Sequence, residues 1–295
     1  MDLEQKAIER IKTASEMSLH HYGQPLVCTY SGGKDSDVIL ELFKRSGVPF
    51  EVHNSHTTAD APQTVYHIRK VFRELELHGI KCDIDYHSSG NGKRLTMWNL
   101  IPQKLMPPTR RVRYCCEKLK ETYGDGRFIA TGVRWAESIS RRERGSFSQP
   151  TERLQASDDE IMLNSDNDKK RRITEHCMQK NKMVVNPIID WKDCDIWEYL
   201  KSEKIETNIL YECGYYRVGC IGCPMASKLR WKQFADFPKY KEAYIRAFDR
   251  MIEVRKAKGL SKKQETGHDV FLWWMEDDNV EGQMSFEDFP EIMPV

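Results

Sequence analysis

This sequence predicts an α/β fold: a mainly parallel sheet with helices on both faces, continued by a helical C-terminal region. Two observations carry the prediction. Short apolar, β-branched runs alternate with amphipathic or loop segments from Leu26 to Ile189, the pattern in which crossover helices join parallel strands. The first run, Leu26-Val27-Cys28-Thr29-Tyr30, passes through Ser31-Gly32-Gly33-Lys34-Asp35-Ser36 straight into a segment with Val38, Ile39, Leu42 and Phe43 on one face, which reads as strand, tight turn and helix. A chain of 295 residues suits one α/β domain with a helical appendage. The expected boundaries are 1–228 for the α/β domain, 229–280 for the helical region and 281–295 for a flexible tail.

The elements follow in order. Leu3, Ala7, Ile8, Ile11, Ala14 and Met17 recur at helical spacing and predict a leading helix that stops at Tyr22-Gly23. After the first strand and its loop, a strand is expected over Pro49–His53, a loop over His56–Pro62, and a helix carrying Val65, Ile68, Val71, Phe72 and Leu75. Further strands are expected at Cys82–Tyr86, Phe128–Gly132 and Val184–Ile189. In parallel α/β sheets ligands bind beyond the carboxyl ends of the strands. The Ser31–Ser36 loop, the Thr57–Asp60 stretch and Thr131-Gly132-Val133-Arg134 all fall at such ends. From Arg141 to Arg172 the chain is polar, with basic edges (Arg141, Arg142, Arg144; Lys169, Lys170, Arg171, Arg172), and reads as a mobile excursion over the active face. Beyond Cys223 the pattern is helical. Tyr240, Tyr244, Phe248 and Met251 share a face, and Phe271 to Met275 form an aromatic cluster expected to be core.

Composition bounds the function. Lys and Arg number 46 against 45 Asp and Glu, so any nucleic-acid contact must come from a local basic patch and not from bulk charge. No stretch approaches a membrane span and the start lacks a signal peptide's apolar run, so a cytoplasmic protein with no membrane partner is expected. Nine cysteines in a reducing compartment point to metal or redox chemistry before disulfides.

The Ser31–Ser36 loop carries the clearest chemistry. Paired glycines let backbone approach a ligand, and the free N–H groups and positive dipole end of the following helix favour a phosphate. Lys34 adds a cation, and Ser31 and Ser36 add hydroxyls. The spacing is not that of a Walker A loop. The cysteines supply a second constellation. Cys115-Cys116 lie in RYCCEKLK, and Cys220 and Cys223 in RVGCIGCPMA. Four thiolates suit a [4Fe–4S] cluster or a structural zinc; adjacent cysteines chelate one ion awkwardly, which favours the cluster. Cys177 is the substitute if only one of Cys115 and Cys116 binds. Cys28, Cys82 and Cys194 are expected to be buried structural thiols, and Cys213 is ambiguous.

SGGKDS after a strand resembles the PP-loop of ATP pyrophosphatases, which split ATP between the α and β phosphates. With RYCCEKLK, TGVRWAESISRR, NPIIDWKDCDIWEYL and YRVGCIGCPMA following in order, the chain resembles the phosphoadenosine phosphosulfate (PAPS) reductase family of that superfamily, from about Val27 to about Arg250. The resemblance implies a Rossmann-like, adenine nucleotide alpha hydrolase-like fold. It implies Ser31, Gly32, Gly33, Lys34, Asp35 and Ser36 on the phosphates, Thr57 to Asp60 (Thr58 and Asp60 above all) near the nucleotide, and Gly132, Arg134, Arg141 and Arg142 on the substrate side. Adenylylsulfate (APS) reductases of the family hold a [4Fe–4S] cluster on a set like Cys115, Cys116, Cys220 and Cys223.

Two departures matter. Sulfonucleotide reductases use a nucleophilic cysteine in a C-terminal motif, whereas this sequence has no cysteine between Pro224 and Val295. SGGKDS is also the loop form of members that cleave ATP. Both point to the sulfurtransferase-like branch, which includes DNA phosphorothioation proteins and tRNA thiolases. The expected enzyme binds ATP and Mg²⁺, forms an adenylate and transfers sulfur, with Lys34, Asp35 and Arg134 catalytic. Asp35 would orient Mg²⁺ or the loop, and Arg134 would offer a planar fork to phosphate or sulfate. Its partners would be a sulfur donor, either a cysteine desulfurase or a thioredoxin-like protein, and a nucleic-acid acceptor. One alternative is reduction of PAPS or APS to sulfite with Cys177 or Cys213 as nucleophile. Another is a non-catalytic nucleotide-sensing subunit whose tail docks through Gln283, Phe286 and Phe289.

Overall fold

The computed structural model describes residues 2–88, 92–136, 182–260 and 264–276, and the backbone of Thr174–Cys177. The expectations placed on Arg141, Arg142 and the polar stretch to Arg172, on the Cys177 side chain and on the tail with Gln283, Phe286 and Phe289 lie outside the described residues. In chain order the elements are α1 (Leu3–Tyr22), β1 (Leu26–Thr29), α2 (Lys34–Ser46), β2 (Phe50–Ser55), α3 (Pro62–Leu77), β3 (Cys82–Asp85), α4 (Met97–Lys104), α5 (Tyr114–Leu119), β4 (Phe128–Ala130), β5 (Thr174–Cys177), β6 (Lys182–Val185), α6 (Asp193–Ser202), α7 (Leu229–Asp236), α8 (Pro238–Ala257) and α9 (Gly267–Met275). They belong to two compact units: Met1–Ser55, Pro62–Asp85 and Thr122–Val218 form the first, and His56–Ala61, Tyr86–Glu121 and Gly219–Val295 the second.

The first unit holds the sheet, in the order β3-β2-β1-β4-β6-β5. Five strands are parallel, and β5 pairs antiparallel with β6 at the edge. Ala7, Ile11 and Ala14 of α1, Val38, Ile39, Leu42 and Phe43 of α2, Ile68, Phe72 and Leu75 of α3 and Ile196 of α6 bury into one cluster with Leu26, Cys28, Val52, Phe128 and Val185 of the strands. On the opposite strand face Val27, Ile129 and Val184 form a smaller cluster with Tyr123. Since β1 is central and strand and helix meet at residues 30–33, the SGGKDS loop lies at the carboxyl edge of the sheet.

The structure moves several boundaries. β2 runs on to Ser55 because His53, Asn54 and Ser55, polar as they are, pair with Asp83, Ile84 and Asp85 of β3. β6 starts at Lys182 and ends at Val185. Pro187 has no N–H for the ladder and restricts the residue before it, so Ile188 and Ile189 are buried in a turn, not a strand. Only Cys28 of the three expected structural thiols is buried. Cys82 is half-buried, and Cys194 is exposed because it falls on the solvent side of the first turn of α6.

The second unit is helical around the predicted aromatic stripe. Tyr244, Phe248, Met251, Phe271 and Trp274 are buried, with the Tyr244 and Trp274 ring centroids 4.8 Å apart. Trp274 Nε1 donates to the Pro108 carbonyl at 2.7 Å, and the buried Arg230 guanidinium lies 4.2 Å from the Trp274 ring centroid. Leu272 breaks the stripe and is exposed. Among the described residues no helix is long and apolar enough to cross a membrane.

Candidate functional site

The loop of the first unit is built by two close backbone approaches. Gly32 has φ +72°, and a Cβ there would lie 2.8 Å from Ile68 Cγ1 and 3.1 Å from Thr64 Cγ2, so only glycine fits. Gly132, just past β4, sits so near the start of α2 that a Cβ would lie 3.2 Å from that of Asp35. Gly33 is extended, with φ −108°. Its N–H is accepted by Ser36 Oγ at 3.1 Å, and that hydroxyl donates to the Gly33 carbonyl at 2.7 Å, closing the turn. Ser31 Oγ is 3.4 Å from Ser36 Oγ.

Two cations and two carboxylates converge beside the loop. Lys34 Nζ lies 3.1 Å from Asp35 Oδ2 and 3.0 Å from Asp193 Oδ1. Arg134 Nε donates to Asp35 Oδ1 at 2.7 Å and Nη2 to Asp193 Oδ1 at 2.9 Å, while Nη1 is 3.4 Å from the Trp191 carbonyl. Burial opposes ionisation of Asp193, yet the hydrogen bonds and charges of Lys34 and Arg134 outweigh it and hold the carboxyl below its ordinary pKa. The arrangement revises the place of Arg134. Its guanidinium is 2% exposed and engaged on Asp35, Asp193 and Trp191, so it braces the two carboxylates instead of offering an open fork.

Sequence reasoning missed three loop contacts. Tyr211 Oη accepts from the Lys34 amide at 2.8 Å. Asn208, fully buried, donates from Nδ2 to the Gly32 carbonyl at 3.1 Å and to Thr64 Oγ1 at 3.0 Å. Asp193 is the third. NPIIDWKDCDIWEYL placed Asp193 in a motif, but nothing local marks Asn208 or Tyr211, whose partners lie 176 and 177 positions away. Under the loop helix Tyr30 Oη donates to Asp37 Oδ1 at 2.5 Å, and His67 Nε2 is 2.9 Å from Tyr30 Oη, a buried brace between β1, α2 and α3.

The second unit gathers the four paired cysteines. The 57–61 segment pairs with the CxxC turn: Asp60 bridges Cys220, and Ile221 N donates to the Ala59 carbonyl at 2.7 Å. Gly222, between Cys220 and Cys223, has φ +74°, and a Cβ would lie 2.5 Å from Phe234 Cζ. Arg113 Nη2 is 3.2 Å from Cys116 Sγ, and Thr57 Oγ1 is 3.3 Å from Cys220 Sγ. The hydrogen bond from Cys115 lowers the Cys116 pKa against the effect of burial, with Lys120 and Arg113 adding to it; Cys115 is pushed up by that same bond, by burial and by the charges of Cys116, Cys220 and Cys223. Burial, with the charges of Asp60 and Cys223, pushes Cys220 up to about 11 against the pull of Lys120, so the thiols are near enough to feel one another and Cys116 is the one held toward thiolate. Among the described residues no three His, Cys, Asp or Glu side chains are arranged to hold a metal ion. Thr58 and Asp60 belong to this unit: Thr58 Oγ1 accepts from Met97 N at 3.0 Å and Asp60 Oδ2 from Thr57 N at 2.8 Å. Cys213 is exposed in the first unit.

Comparison with known proteins bears on this geometry. The phosphoadenosine phosphosulfate reductase domain model matches residues 25–226, which include the SGGKDS loop, Arg134, Asp193, Tyr211 and all four paired cysteines. The chain belongs to this family. Among curated relatives, an uncharacterized protein of Methanocaldococcus jannaschii is 25% identical over 269 residues, 89% of this chain and 55% of that protein. A second uncharacterized protein of the same organism is 27% identical over 75% of this chain and 41% of its own length, so the chain spans about half of these relatives. The adenosine 5'-phosphosulfate reductase of Oceanobacillus iheyensis is 21% identical over 68% of this chain and 72% of that enzyme. Solved structures include the PAPS reductase of Candida auris in its phosphate complex, with TM-score 0.47 and 15% identity over 73% of this chain and 88% of that one. The U34-tRNA thiolase NcsA of Methanococcus maripaludis, with its [4Fe–4S] cluster, aligns with TM-score 0.36 and 13% identity over 86% of this chain and 81% of that one.

Proposed function

We propose that this PAPS reductase family member binds ATP at SGGKDS, releases pyrophosphate and passes the adenylated intermediate to sulfur transfer. One observation carries the nucleotide reading: Gly32 brings strand and helix into a turn only glycine allows, with Lys34 at the helix start and Asp35, Arg134 and Asp193 beside it. A phosphate at this end of α2 meets the helix dipole and the Lys34 ammonium. An acceptor oxygen attacks the α-phosphorus, the bond to the β-phosphate oxygen breaks, and the electron pair leaves with pyrophosphate. Lys34 stabilises that departing charge. Asp35 and Asp193 are the carboxylates suited to Mg²⁺, which would neutralise phosphate charge, and Arg134 sets their orientation. Gly132, packed against Asp35, belongs to the same proposed nucleotide site.

Sulfur transfer rests on the second unit. Cys115, Cys116, Cys220 and Cys223 offer an all-thiolate donor set beside Arg113 and Lys120, which fits a [4Fe–4S] cluster; such a cluster supplies a thiophilic iron. The reading calls for a sulfur donor and a nucleic-acid acceptor. Reduction of APS or PAPS to sulfite is the second reading, favoured by the relatives named adenosine 5'-phosphosulfate reductase. Anaerobic purification with an absorbance spectrum and metal analysis, then assays for pyrophosphate from ATP and for sulfite from APS and PAPS with thioredoxin, separates the two. Brown protein absorbing near roughly 400 nm, pyrophosphate release and no sulfite support the proposal. Colourless protein with stoichiometric zinc removes the cluster, and robust sulfite formation overturns sulfur transfer.

A further inference from the structure

We infer that the Tyr211 hydroxyl is a phosphate-binding group of the loop, donating its hydrogen to a phosphate oxygen seated at the start of α2. This rests on the nucleotide reading above and adds a contact that the motif does not contain. The Lys34 amide is a donor, so at 2.8 Å the Tyr211 oxygen is its acceptor. The hydroxyl hydrogen must therefore point elsewhere, and among the described residues no acceptor takes it. A phenol is protonated at neutral pH, and burial pushes this one further up, so the group is a standing O–H donor. It is also placed over the loop: a Cβ on Gly33 would lie 3.4 Å from Tyr211 Oη.

The surrounding structure fixes that placement. Asn208 Oδ1 accepts from Leu210 N at 3.1 Å and starts the 3₁₀ turn Ile209–Tyr211, while its Nδ2 grips the Gly32 carbonyl. The Trp197 ring meets the Tyr211 ring edge-on, with centroids 5.0 Å apart. Tyr211 is thus tied to the loop from both ends of its side chain. The start of α2 carries a helix dipole end, the Lys34 ammonium and, at the Lys34 amide, a positioned O–H, and the ligand chemistry these donors match is a tetrahedral oxyanion.

Tyr211→Phe removes one oxygen and keeps the ring against Trp197. Affinities of the full chain for ATP, inorganic pyrophosphate and adenosine are measured by titration calorimetry, with Lys34→Ala in parallel. The inference predicts about tenfold weaker binding of ATP and pyrophosphate by Tyr211→Phe, the loss expected for one hydrogen bond to a charged group, and unchanged adenosine affinity. Phosphate ligands held as tightly as by the wild type, while Lys34→Ala weakens them, would show that Tyr211 only caps the loop and overturn the inference alone. Equal weakening of all three ligands would overturn it as well, because a phosphate contact cannot act on adenosine. Wild-type protein that binds neither ATP nor pyrophosphate would overturn the nucleotide reading together with it.

Discussion

Alanine at Gly32 and at Gly33 should have very different consequences, although the two glycines are neighbours in one motif. At Gly32 the backbone has φ +72°, where an L side chain is disfavoured by about 1–2 kcal/mol. The new Cβ would also lie 2.8 Å from Ile68 and 3.1 Å from Thr64, which are 4% and 2% exposed and have no room to move away. Overpacking of this kind costs about 1–3 kcal/mol, so Gly32→Ala should lose about 2–5 kcal/mol in all. Gly33 has φ −108°, and its nearest neighbour, Tyr211 Oη, would be 3.4 Å away, an ordinary contact. Gly33→Ala should change stability by less than about 1 kcal/mol, because alanine there also restricts the unfolded chain. Equilibrium urea denaturation of both variants measures the difference. Equal destabilisation, or a Gly32→Ala protein within about 1 kcal/mol of wild type, would refute the loop geometry described here.

The cysteine turn makes a similar prediction. Gly222→Ala, with φ +74° and a Cβ 2.5 Å from Phe234 Cζ, should lose about 3 kcal/mol or more, and its iron content after anaerobic purification should fall with it. Cys220→Ser or Cys223→Ser should abolish bound metal outright, measured by elemental analysis; full iron occupancy in either would remove the CxxC pair from the donor set. Acid stability tests the ion cluster. Asp193 is held below its ordinary carboxyl pKa of 3.8, so its stabilisation is complete above that value and is lost as the pH falls through the lower folded-state pKa. Asp193→Asn should therefore be less stable than wild type at pH 7 and the difference should shrink below pH 3.8 in denaturation curves; a difference independent of pH would contradict the pairing.

The parts legible in the sequence were those set by local pattern. Ala7, Ile11 and Ala14 mark α1 by spacing, and Gly23, with φ +63°, ends it where expected. The SGGKDS turn was legible because strand, glycines and amphipathic helix are consecutive. Strand ends were less so. His53, Asn54 and Ser55 continue β2 through pairing with another strand, which polarity along one chain does not show, and the apolar pair Ile188 and Ile189 read as strand although Pro187 ends it. In the site, Arg134 stands in a motif the sequence displays, but only the fold shows Asp35 and Asp193 closing on its guanidinium. Asn208 and Tyr211 stay hidden for the same reason: they reach the loop through tertiary structure, with no spacing rule to announce them.

The central claim is that SGGKDS is a working ATP site. Its most direct test is release of pyrophosphate and AMP from ATP by anaerobically purified protein supplied with candidate nucleic-acid acceptors and a sulfur donor, compared with the Lys34→Ala and Asp35→Ala variants. The account predicts stoichiometric pyrophosphate and AMP from the wild type, and turnover abolished in both variants, each still folded by circular dichroism although Asp35→Ala, which takes a partner from the buried Arg134, melts lower. Pyrophosphate release that survives Lys34→Ala, or wild-type protein that forms sulfite from APS yet never binds ATP, would contradict it.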